Sequence, residues 1–86
     1  MAFVRITLEA REQTRKVPKP IQGRIAEIVI RLEKWPNVSG AKPLYGDLAG
    51  NFRLRTGDYR VIVRYDKPTD TVTIWRIGYR GGIYDQ

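Results

Sequence analysis

Val4, Ile6 and Leu8 occupy every second position of residues 3–8, with Arg5 and Thr7 between them. A period of two predicts a strand with one buried face. Residues 9–16 are good helix formers with few apolar positions, so they predict a short surface helix that ends before Pro18. The next signal is stronger. Ile21, Ile25, Ile28, Val29, Leu32 and Trp35 recur at spacings of 4, 3, 1, 3 and 3, one apolar stripe on a helix that Pro20 opens and Pro36 stops. Residues 37–51, with three glycines, Pro43 and Asn51, read as a long irregular connection broken by Leu44 and Leu48. Segments 52–55, 59–66 and 71–78 then alternate or carry β-branched and aromatic residues. Their separators, Thr56-Gly57-Asp58 and residues 67–70, have hairpin length and turn chemistry. The expected fold is one α+β domain over residues 1–86, an N-terminal strand, two helices and a three-stranded antiparallel meander. All strands share one sheet, with the helices packed on one face. Residues 79–86 form a glycine-containing tail holding Arg80 and Tyr84.

A chain of 86 residues makes one domain with one core, burying about two-thirds of the surface exposed on unfolding. Sixteen Lys and Arg against nine acidic residues give a net charge of +7, which favours an anionic partner. Nucleic acid leads, followed by an acidic protein. A membrane surface ranks below both, since no helical segment joins a clustered basic face to a broad apolar one, and every apolar run is far shorter than a bilayer span. Met1-Ala2-Phe3-Val4-Arg5 lacks the zones of a signal peptide, so the expected location is the cytoplasm. With neither cysteine nor histidine in the chain, thiolate chemistry, a zinc cluster of those ligands and histidine acid–base catalysis are excluded by inventory.

The charge concentrates in Arg53-Leu54-Arg55-Thr56-Gly57-Asp58-Tyr59-Arg60. If Leu54 faces the core, strand geometry sends Arg53 and Arg55 together to the other face, where paired cations can grip phosphate oxygens. Arginines on such a face are otherwise ordinary solvated surface. Asp58 and Gly57 read as turn chemistry, Trp35 as core, and Trp75 as either core or a stacking platform for a base.

Leu44-Tyr45-Gly46-Asp47-Leu48, Phe52 through Ile62, Ile77-Gly78-Tyr79-Arg80 and Ile83-Tyr84, in that order, resemble the RelE branch of the RelE/ParE toxin superfamily. The resemblance spans nearly the whole chain. It implies a toxin of a type II toxin–antitoxin system, a ribosome-dependent endoribonuclease acting on messenger RNA, with no cofactor and no metal. The implied partners are the ribosome, its message and a cognate antitoxin, whose acidic segment would meet the +7 charge. The family's basic pair falls on Arg53 and Arg55, where members carry lysines; its later arginines fall on Arg60 and Arg80, and its terminal aromatic on Tyr84. Tyr79 stands where a histidine is frequent, as a base-stacking candidate, and Lys42 adds phosphate attraction. The ParE branch shares the fold but inhibits DNA gyrase, and a noncatalytic basic module that binds RNA or antitoxin is the third reading.

Metal-free RNA cleavage needs a base for the 2′-hydroxyl, cations for charge developing on the phosphate, and stabilisation of the leaving oxygen. Arginine suits the second task and, with its high pKa, is a poor base. The resemblance therefore implies that Arg53 and Arg55 orient the phosphate, Arg60 stabilises the transition state, Arg80 attends the leaving oxygen, and Tyr84 serves as base, its phenolate favoured by neighbouring cations.

Overall fold

The computed structural model describes residues 1–79. Strand β1 (Phe3–Ile6) stops short of the predicted segment because Thr7 caps a helix: its Oγ1 accepts from the Ala10 N–H at 3.1 Å, and α1 (Leu8–Lys16) begins at once. Leu8, expected on the buried side of a strand, is instead a helical residue 75% exposed, and Ala10 is the buried residue of α1. Helix α2 (Lys19–Leu32) carries Pro20 in its first turn, where the missing N–H leaves no helical bond unmade. Its Ile25, Ile28 and Leu32 are buried, as the stripe predicts. Trp35 lies past the helix end but still packs on the core, 5.6 Å from the Tyr65 ring and 4.8 Å from Phe52. The Trp35–Pro36 peptide is cis.

The connection after α2 is not wholly irregular. It holds a short strand β2 (Lys42–Pro43) and a single 3-10 turn, Gly46–Leu48. The three remaining strands are β3 (Asn51–Thr56), β4 (Tyr59–Asp66) and β5 (Thr71–Tyr79). They form one five-stranded sheet in the order β1-β5-β4-β3-β2. The meander thus has four antiparallel strands, and β1 lies parallel to β5 at the far edge. A parallel pair needs a long crossover, here everything from α1 to β4.

Strand β1 covers only Thr71 to Ile74 of β5. Farther along, α1 takes over that edge: Gln13 Oε1 accepts from the Ile77 N–H at 2.7 Å, and Glu9 pairs with Arg76 at 3.1 Å. An otherwise open ladder group is satisfied by a side chain.

The core lies between the helices and one sheet face, built from Ala10, Ile25, Ile28, Leu32, Leu54, Val61, Val63, Val72, Ile74 and Ile77 with their neighbours. No helix among the described residues is long and apolar enough to cross a membrane. Ile74 is fully buried, so Ile74→Ala is expected to lower unfolding free energy by about 2–5 kcal/mol, measured by urea denaturation. At the opposite end of β5, the Tyr65 hydroxyl donates to Asp70 Oδ1 at 2.8 Å. That bond, with burial and the nearby Asp70 and Asp66 charges, raises the phenol above its ordinary pKa. The stabilisation is complete below about pH 10, the unfolded value, and fades as pH rises through the higher folded value. Unfolding midpoints of Tyr65→Phe and the unaltered protein are expected to converge above that pH.

Candidate nucleic-acid interface

Leu54 and Val61 are partners across β3 and β4, and both are buried in the core. Alternation then sends Arg53, Arg55, Arg60 and Ile62 to the face away from the helices. On that face Arg55 stands directly opposite Arg60, and Arg53 opposite Ile62 on one side and Lys42 on the other. Strand pairing sets these opposites; the two-residue turn sets the register. Gly57, at φ +58°, occupies its first central position, the left-handed conformation a tight hairpin requires there.

Like charges directly opposed across a pair of strands destabilise a sheet. Here two such pairs, Arg55–Arg60 and Lys42–Arg53, sit in successive rows about 7 Å apart. Arg55 is exposed, while Arg53 and Arg60 are each only 7% exposed. Arg53 is on the predicted face, with Arg55, but recessed, in the same row as the fully buried Ile62. Long aliphatic stems can lie along a sheet while the charged ends gather. The Arg60 Nη1 donates to the Tyr59 carbonyl at 3.5 Å. A cleft of about 430 Å³ opens beside the rows, lined by Gly40, Lys42, Arg53 and Arg55. Recessed, restrained guanidiniums with an exposed one beside them can hold an oxyanion at fixed points.

The structure thus brings Lys42, Arg53, Arg55 and Arg60 onto one face. It does not bring Tyr79 there. Tyr79 pairs with Tyr59, their rings edge to face at 5.3 Å, on the helix side of the sheet. Tyr79 is nonetheless 58% exposed there. Arg80 and Tyr84 lie outside the described residues.

Sequence reasoning missed a third row. The register slips between Ile62 and Val63, so Ile62 pairs with Arg76, Val63 with Ile74, and Trp75 is the inserted residue. Trp75 is set on the arginine side, its indole Nε1 donating to Asn51 Oδ1 at 2.9 Å. Asn51 in turn pairs with Arg64 across the strands. A bulge leaves no periodic signal, so the side of the sheet that Trp75 takes was open in the sequence.

Because Arg55 faces its like-charged neighbour and lies at the surface, Arg55→Ala is expected to keep stability within about 0.5 kcal/mol. The same change should lower the slope of log affinity against log salt for single-stranded RNA by about 0.7, read by fluorescence anisotropy across a salt series.

Comparison with known proteins gives the arrangement its family. The family model described as the ParE toxin of type II toxin–antitoxin systems, parDE, matches residues 4–84. Toxin RelG of Mycobacterium tuberculosis is 39% identical over 82 residues, 94% of this chain and 93% of that protein. The crystal structure of the M. tuberculosis toxin–antitoxin complex RelBE2 contains a chain with TM-score 0.80 and 36% identity, covering 92% of this chain and 98% of that one. The isolated Escherichia coli RelE toxin, at 14% identity, shares the fold, with TM-score 0.76 over 98% of this chain and 92% of its own. The sheet order, the two helices and the arginine hairpin therefore belong to a member of the RelE/ParE superfamily, the toxins of type II toxin–antitoxin systems.

Proposed function

We propose that this chain is a ribosome-dependent endoribonuclease that cleaves messenger RNA in the decoding site. The observation that carries the reading is the opposed Arg55–Arg60 pair, with Arg60 only 7% exposed, beside Lys42 and Arg53. A phosphate placed among these groups meets cationic donors whose backbones strand pairing holds in register, so little reorganisation of the sheet accompanies its binding. Arg53, Arg55 and Lys42 hold the message backbone. Arg60, the recessed partner, stabilises charge as the 2′-oxygen attacks phosphorus, forming a cyclic phosphate and releasing the 5′-oxygen of the next nucleotide. Tyr84 as base and Arg80 at the leaving oxygen complete the reaction; both assignments rest on the family resemblance. The 39% identity with Toxin RelG supports a Rel-type activity.

The partner that silences the protein is a cognate antitoxin, supported by relatives solved as toxin–antitoxin complexes from M. tuberculosis and, at 27% identity, Pyrococcus horikoshii. An acidic segment laid over the arginine rows would meet the same cations as the message, and its association would slow as salt rises. A second reading has its own support. The matching family model is described as the ParE toxin, and the family resemblance implies that the ParE branch inhibits DNA gyrase and cleaves no RNA.

Purified protein added to a translating extract should create new message 5′ ends in the decoding site, mapped by primer extension. Arg60→Ala is expected to lower the rate about 10²–10³-fold, the usual loss when one oxyanion donor is removed. Intact message together with blocked gyrase supercoiling would establish the ParE reading. Intact message with unaffected gyrase, and RNA still bound, would leave a noncatalytic binder.

A further inference from the structure

Strand β5 runs to Tyr79, but β1 accompanies it only as far as Ile74. The carbonyls of Asp70 and Ile74 face that edge and accept from the Phe3 and Thr7 N–H groups at 2.9 and 3.0 Å. Simple alternation would turn the Arg76 amide outward next; the inserted Trp75 makes it Ile77. That N–H donates to Gln13 Oε1 at 2.7 Å. We propose that Gln13, oriented by Glu9, is a positioning residue for the cleavage reaction, holding the end of β5 beside Arg60. The role rests on the nuclease reading above.

The side-chain amide of Gln13 has a set orientation. Glu9 and Gln13 stand about one turn apart on α1, so they share a face of the helix. An ionised carboxylate only accepts, and Glu9 Oε1 takes an N–H of Gln13 Nε2 at 3.3 Å, which turns the Gln13 oxygen toward Ile77. The same Glu9 oxygen accepts from Arg76 Nη1 at 3.1 Å. Arg76, Glu9, Gln13 and Ile77 thus close a ring of contacts between two successive residues of β5 and one turn of α1. Two side chains supply here what a neighbouring strand supplies farther back.

On its inner edge the same stretch meets the cationic hairpin. Ile77 pairs with Val61 and Gly78 with Arg60, so the row of Arg55 and Arg60 ends on Gly78. Apart from its chain neighbours, no heavy atom lies within 4 Å of where a Gly78 Cβ would stand, and the floor beside Arg60 is bare backbone. A phosphate held by Arg60 has that backbone as its wall. Strand β4 sets the place of the wall from one side and Gln13 from the other. Arg80, the residue given the leaving oxygen, follows Tyr79 directly in the sequence. A shift of β5 at Ile77 therefore moves the wall and the start of the tail together. Lys42, Arg53 and Arg55, on β2 and β3, stay where strand pairing puts them. The signature of losing Gln13 is slower chemistry with unchanged binding.

The test compares the unaltered full-length protein with three variants. Gln13→Met keeps length and helix propensity without a comparable acceptor, Gln13→Asn is one methylene too short, and Gln13→Glu accepts at either oxygen. Single-turnover cleavage of a defined message on ribosomes is followed across toxin concentration, and amide exchange of the ¹⁵N-labelled proteins by NMR. Gln13→Met and Gln13→Asn are expected to lose protection at Ile77 while the amides of β3 and β4 keep theirs. Their saturated cleavage rate should fall about 10–10²-fold at an unchanged half-saturating concentration, and Gln13→Glu should restore both rate and protection. A glutamine that only stabilised the fold would lower the unfolding midpoint and leave the saturated rate alone. Unchanged Ile77 exchange in both variants, an unchanged saturated rate, or a Gln13→Glu protein as slow as Gln13→Met would each overturn the positioning role. Cleavage by the unaltered protein in those cases leaves the nuclease reading standing. Intact message with the unaltered protein removes that reading and this role with it.

Discussion

The pairing of β3 with β4 governs this molecule more than any other contact. Leu54 against Val61 on the helix side puts Arg55 against Arg60 on the other, and neither half of that arrangement can change alone. A slip by one residue would drive the arginines into the apolar core and expose the leucine and valine, a loss far larger than the repulsion it relieves. The hairpin at Gly57 makes the slip harder still, since its two-residue turn admits one register. Hydrophobic burial on one face therefore clamps like charges together on the other. The cationic face is a by-product of the core in mechanical terms, fixed when the protein folds.

The bulge in β5 divides that face into two chemistries. On one side of it lie Arg53, Arg55, Arg60 and Lys42, all charged; on the other lie Trp75, Asn51, Arg64 and Thr73, an indole with hydrogen-bonding groups around it. An uninterrupted β5 would place Ile74 and Ile77, three residues apart, on opposite faces. Both are buried in the core, and one inserted residue is what reconciles them. The same insertion that completes the core re-aims the tryptophan.

Much of this was legible in the sequence where a period ran long enough. The apolar stripe of α2 and the eight residues of β4 emerged with nearly their observed bounds because each repeats its signal several times. Strand β2 has two residues, one of them proline, and owes its form to pairing with β3, so no local pattern announces it. Leu8 was misplaced because the capping bond from Thr7 ends the strand before the alternation does. Four of the proposed site residues, Lys42, Arg53, Arg55 and Arg60, were named from charge, strand parity or the family resemblance, and they do share a face. Tyr79 was attached to them by the resemblance alone, although it shares parity with Ile77 and so belongs to the helix side. Glu9 and Gln13 were not named because their nearness to Arg76 and Ile77 depends on the bulge in β5 and on where α1 lies along that edge.

Sheet order also differs from chain order in a way that bears on synthesis. Among the described residues, the first strand made, β1, has its only strand partner in β5, and β5 also completes the edge of β4. A nascent chain can close the hairpin of β3 and β4 early, but β1 has nothing to pair with until the segment 71–79 has cleared the exit tunnel. Long-range pairing of this kind is slow to nucleate and forms together with the core it encloses. The arginine rows lie on β2, β3 and β4 and can form with that hairpin, whereas the core beneath them closes only when β5 joins β4 and β1.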